Sequence, residues 1–117
     1  MRIVVKGRNT AVTPGLREHV ELRFRAVGRQ VAELAELEVE LFEERNPAIA
    51  DDQVAEATLH LKRVTLRAKA ASPDMAHSIN LCEDQLGRQV KRHREQRRKR
   101  RATRAAQAAV DGGATVA

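Results

Sequence analysis

Trp and Tyr are absent and the only phenyl rings are those of Phe24 and Phe42. Almost nothing is left on which an unpaired base could stack, which excludes the aromatic-rich sheets that recognise single strands. Cys82 is the single cysteine, so no internal disulfide can form, as fits a reducing compartment. Hydrophobic residues make up 42% of the chain, but no apolar run reaches the roughly eighteen residues of a membrane helix, and a soluble fold is expected. Met1 to Lys6 shows neither the apolar stretch nor the small-residue cleavage site of a secretory signal, and a cytoplasmic location is expected.

Catalytic signatures are missing as well. No phosphate-binding glycine loop, dinucleotide fingerprint or nucleophile elbow occurs. His19, His60, His77 and His93 never approach the paired spacing of a zinc site, and Cys82 sits alone on an apolar stripe where a thiol is a small core residue. Glu43, Glu44, Asp51 and Asp52 fall in a polar loop, with no apolar surroundings to raise a carboxyl pKa. Neither an enzyme nor a metal site is expected, and no cofactor or small-molecule substrate.

What the chain does have is charge, unevenly placed. The 117 residues fit one domain and carry a formal charge of +6, with a pI near 10.4, which points to a polyanionic partner. Acids dominate from Glu33 to Glu56, where Arg45 is the only cation; cations dominate from Lys91 to Arg104, where Glu95 is the only acid. Such a field orients a polyanion before contact.

The periodicities lay out six elements. Arg2 to Lys6, with Ile3, Val4 and Val5, reads as a strand ended by a turn at Gly7 and Asn9. Thr13-Pro14 opens a helix, a hydroxyl N-cap before a proline at N1, whose apolar stripe is Leu16, Val20, Phe24, Val27 and Val31. Alternation then predicts strands over Glu36 to Phe42, Gln53 to Lys62 and Val64 to Ala70. The link at Lys62-Arg63 lacks the Gly or Asn of a tight hairpin turn. Ser72-Pro73-Asp74 predicts a second helix start with Ser72 as N-cap, and Met75, Ile79, Cys82, Leu86 and Val90 give its buried stripe. The expected fold is an α+β two-layer sandwich of order β-α-β-β-β-α, a four-stranded sheet with two helices on one face. Residues 1–95 are expected to form the domain and 96–117 a flexible tail, basic and then rich in Ala and Gly; beyond about Glu95 the apolar stripe stops, so the helix either continues in solvent or frays, and Asp111 to Ala117 is expected to be disordered.

The candidate site is cationic. Arg88, Lys91 and Arg92 follow i, i+3, i+4 spacing on the outward side of the second helix, close enough to meet adjacent phosphates together. Arg17 and Arg23 add to them from the first helix if the helices lie side by side.

These residues resemble a known family, the ribosome hibernation promoting factors, also called ribosome-associated inhibitors or sigma-54 modulation proteins. The resemblance spans about residues 1–95. It is carried by Gly7 and Asn9, Thr13 with Leu16 and Arg17, Ala57-Thr58-Leu59-His60, Asp74-Met75 with Ile79, and Leu86 with Arg88 and Gln89. The chain departs from the usual pattern at Ala76, Gln85 and Lys62-Arg63-Val64.

The resemblance implies a fold similar to double-stranded RNA-binding domains. It also implies binding in the decoding channel of the small ribosomal subunit, against its rRNA and in competition with mRNA and tRNA, so that translation stops by occlusion. It places the family's basic helix residues on Arg23, Arg88 and Arg92. Two rival readings stand beside it: a protein-binding transcription regulator acting through the acidic strand, and a generic double-stranded RNA-binding module. No membrane partner is expected.

Overall fold

Six elements follow in the expected order: β1 (Arg2–Arg8), α1 (Pro14–Gly28), β2 (Glu36–Glu43), β3 (Gln53–His60), β4 (Thr65–Ser72) and α2 (Met75–Val116). They belong to a computed structural model that describes residues 1–116, with side chains through Asp111. The strands form one sheet in the order β1-β2-β3-β4. β1 runs parallel to β2 across the α1 crossover, and the two later pairings are antiparallel, as short links between neighbouring strands require.

Alternation decides which face meets the helices. Leu37, Val39 and Leu41 of β2, Ala55, Ala57 and Leu59 of β3, and Ala68 and Ala70 of β4 are buried in one cluster. α1 adds Val20, Phe24 and Val27, and α2 adds Met75, Ile79, Cys82, Leu86 and Val90. Both helices therefore cover the same face. Alanines at four of the sheet positions leave room for α2, which packs directly over β3 and β4. Each fully buried Leu, Ile, Val or Phe side chain contributes about 1.5–3 kcal/mol.

Local chemistry sets the boundaries. Thr13 Oγ1 accepts from the Leu16 N–H at 3.2 Å with Pro14 at the helix start, the cap expected of this pair. Gly7 lies within β1, where a Cβ would stand 2.5 Å from the Thr10 carbonyl oxygen, so no other residue fits without a backbone shift. The chain then reverses at Asn9, whose φ of 57° is left-handed, a region that Asn tolerates better than most residues.

Two expectations are corrected. β4 continues to Ser72, which pairs with Gln53, so Ser72 cannot cap α2; Asp74 does so, its Oδ2 accepting from the His77 N–H at 3.2 Å. Ser72 instead joins Ser78 at 2.7 Å, and the Ser78 hydroxyl reaches the Gln53 carbonyl at 2.6 Å, tying the start of α2 to β3 and β4. In the β3–β4 link, residues 61–64, Leu61 N–H bonds the Val64 carbonyl at 2.9 Å and leaves Lys62 and Arg63 at the tip, neither with the positive φ for which a primed turn needs Gly or Asn.

Beyond Glu95 the second helix continues in solvent, helical over 96–116, and so runs through most of Asp111 to Ala117, the stretch expected to be disordered; Ala117 lies outside the described residues. Arg, Lys, Gln and Ala are strong helix formers, and no proline interrupts them. The molecule is accordingly drawn out, 72 × 28 × 17 Å, because the last part of α2 runs clear of the sheet.

Candidate nucleic-acid interface

Four contacts fix how the helices lie. His19 Nε2 is 2.8 Å from Asn80 Oδ1, Arg23 reaches Glu83 at 3.3 Å and Asp84 at 3.1 Å, and Arg94 Nη1 donates to Gln30 Oε1 at 3.3 Å. Residue numbers rise together on both helices, so α1 and α2 run parallel. Arg23 serves this joint: its side chain is 40% exposed, between one acid that is 14% exposed and another in the open. Burial pushes the Glu83 carboxyl above its ordinary range, against the pull of Arg23 in the opposite direction.

Arg88, Lys91 and Arg92 are all exposed, on the stretch of α2 between Asp84 and Arg94. At ~100° per residue they occupy an arc of about 100°, opposite the stripe that buries Cys82, Leu86 and Val90. Arg88 Nε donates to the Asp84 carbonyl at 3.3 Å, which anchors the base of the side chain. The structure thus brings Arg88, Lys91 and Arg92 together on a rigid element and sets Arg23 beside them with its charge balanced by two carboxylates.

Arg17 is elsewhere. It shares the i, i+4, i+11 stripe of Glu21 and Gly28, and a Cβ on Gly28 would stand 3.2 Å from Met1 Cε. That stripe flanks β1, whereas His19, Arg23 and Gln30 form the stripe that meets α2. Side-by-side helices therefore do not carry Arg17 into the α2 cluster.

The cationic run noted in the sequence continues along α2, where Arg97, Arg98, Lys99, Arg100, Arg101 and Arg104 are exposed and helical. What escaped the sequence reading is the outer sheet face, where Lys6, Glu40, Glu56 and Lys69 form one row across all four strands. Arg8 bridges to Glu40 at 3.2 Å and lies 4.3 Å over the Phe42 ring, with the Lys69 ammonium 5.6 Å from it. The signal for this was the break in alternation at Leu41-Phe42, which sends the ring to the face away from the helices. The acidic centre of the sheet is thus flanked by cations from both edge strands.

Gln89 adds a positional detail. Its Nε2 donates to the Arg67 carbonyl of edge strand β4 at 2.6 Å, so this residue covers a sheet edge that would otherwise invite pairing. Cys82 is buried with its Sγ 3.6 Å from the Ala68 carbonyl, and burial pushes its thiol up to about 12. Among the described residues no group of three or more His, Cys, Asp or Glu is placed to hold a metal ion, and no helix is long and apolar enough to cross a membrane.

Comparison with known proteins agrees with this architecture. The chain is similar to the "Ribosome hibernation promoting factor" of Acinetobacter guillouiae, 27% identical over 100 residues that cover 81% of this chain and 88% of that one. It is 30% identical to the protein of the same description from Salmonella typhimurium, over 82% of this chain and 96% of that one. It spans about half the length of the "Ribosome hibernation promotion factor" of Picosynechococcus, at 28% identity. The N-terminal domain of Thermus thermophilus Protein Y superposes with a TM-score of 0.69 at 26% identity, covering 80% of this chain and 99% of that one. A ribosomal subunit interface protein from Coxiella burnetii shares the fold, also with a TM-score of 0.69, at 19% identity over 81% of this chain and 99% of that one. The sequence profile described as "Sigma 54 modulation protein / S30EA ribosomal protein" matches residues 3–98, and the chain belongs to that family.

Proposed function

We propose that the protein is a cytoplasmic ribosome-binding hibernation factor that occupies the decoding channel of the small ribosomal subunit. There it excludes mRNA and tRNA, so translation stops by occlusion and no bond is made or broken. The observation that carries this reading is the exposed Arg88, Lys91 and Arg92 cluster on a helix fixed to the sheet, in a chain whose relatives are named hibernation factors. Arg suits the task because its planar fork grips phosphate through two parallel hydrogen bonds. Phosphate contacts supply affinity, and the shape of folded rRNA supplies selection. Arg23 supports the surface from the helix joint, and Arg17 contributes from a separate flank.

The acidic strand, which suggested a protein-directed regulator, has cationic neighbours within its own sheet. The pairing of Glu40 with Arg8 and its register beside Lys6 favour the RNA-directed reading over a partner for the acidic strand.

The test is cell-free translation with purified protein. Inhibition that is relieved by added tRNA supports occupation of the tRNA path. Inhibition insensitive to tRNA, or matched by trapping on any long RNA duplex, contradicts it and favours a generic duplex binder.

A further inference from the structure

We propose that residues 97–104 of α2 form a second RNA-binding element, an arm that enters an RNA crevice and meets phosphates on opposite sides at once. This rests on the RNA-directed reading above but concerns a part of the helix with a different charge geometry. Within the body of the protein Arg88, Lys91 and Arg92 occupy one arc and Arg94 is turned to Gln30, because the other side of α2 is buried against the sheet. Beyond Glu95 that restriction ends and every residue through Asp111 is exposed. Arg97, Arg98, Lys99, Arg100 and Arg101 are consecutive, and the four steps of ~100° between them carry their charges around the entire circumference. Arg104 lies one turn from Arg100 and Arg101. A helix that rested on a single phosphate surface would use only half of these side chains.

The spacing also leaves a repulsion unrelieved. Arg97 with Arg101, and Arg100 with Arg104, are like charges at i, i+4, and each such pair destabilises a helix. Among the described residues none of these six cations has an acidic partner within 4.0 Å. Phosphates placed between the rows remove that repulsion. An anionic membrane surface fits less well, since the arm has no apolar face to sink below the headgroups, only alanines and Val110 between and after its cations.

The experiment uses the full chain and two variants with equal charge loss on opposing sides, R97Q/R104Q and R98Q/K99Q. Gln keeps helix propensity, and none of the four side chains touches the core, so circular dichroism and thermal midpoint should stay near wild type. The probe is purified small ribosomal subunits, titrated between 50 and 200 mM salt. Both variants should bind more weakly and to a similar degree. Each should lose about tenfold less affinity across that salt range than wild type, as two fewer phosphate contacts require.

A loss confined to one variant places the arm on a single surface and overturns the proposal, as does no loss in either. Capture by phosphatidylglycerol vesicles that both variants abolish, with subunit binding unchanged, assigns the arm to membranes and also overturns it. If wild type binds subunits and the arm variants match it, the hibernation reading stands without the arm. If wild type itself fails to bind, that reading falls and the arm falls with it.

Discussion

Arg23 Nη2 lies 3.1 Å from Asp84 Oδ1, so a residue of the first helix is held by one of the second, sixty-one positions later in the chain. The same guanidinium reaches Glu83 through Nε. A cation that the family resemblance assigns to RNA is therefore also the pin of the helix pair that presents Arg88, Lys91 and Arg92.

Removing the pin should cost a little stability. In a double-mutant cycle of R23A and D84A, the coupling between the two side chains should be about 0.5–1 kcal/mol, as for partly exposed ion pairs, and should shrink in high salt. Urea unfolding of the four proteins measures it. A coupling of zero at low salt would show that Arg23 is free for another partner.

Glu83 makes a pH prediction. Its folded pKa is raised by burial above the unfolded value of roughly 4.3. The stability this provides is complete below the unfolded pKa and is lost as pH rises through the folded one. The variant E83Q, which keeps an acceptor for Arg23, should therefore gain thermal midpoint relative to wild type as pH climbs from 4 to 7. A relative gain by wild type over that interval would mean that Arg23 outweighs the burial.

Cys82 gives the same sign at high pH. With its thiol pushed up to about 12 against roughly 8.5 when unfolded, its contribution to stability is intact below pH 8.5 and declines as pH rises toward 12. The folded protein should resist a thiol reagent at pH 8 and react fully in denaturant. Rapid labelling without denaturant would contradict the burial.

Replacing Arg88 or Arg92 by Ala should weaken binding to small subunits and flatten the salt dependence by about one counterion for each phosphate no longer neutralised, with the fold unchanged. Titration at several salt concentrations checks it. An unaltered slope in both variants would move the binding face away from α2.

Much of this architecture was legible in local patterns. Leu37, Val39 and Leu41 announce a half-buried strand by period two, and the Thr13-Pro14 cap is where its chemistry puts it. The cluster of Arg88, Lys91 and Arg92 follows from helical spacing alone. What was hidden depends on tertiary pairing. Ser72 looks like a cap until its pairing with Gln53 places it in a strand. Arg17 and Arg23 differ only in which flank of α1 meets α2, which one sequence does not state. The acidic segment gains its meaning only when the register sets Glu40 beside Lys6 and Glu56 beside Lys69. The helix beyond Glu95 has no apolar periodicity to announce it, so propensity was the only signal.

Sedimentation through a sucrose gradient at moderate salt tests the central claim most directly. Mixed with purified small subunits, the protein should travel with them, be displaced by excess tRNA, and remain at the top when Arg88, Lys91 and Arg92 are all replaced by Ala. Wild-type protein that stays at the top of the gradient, or rides with subunits equally well in the presence of tRNA, would contradict the account.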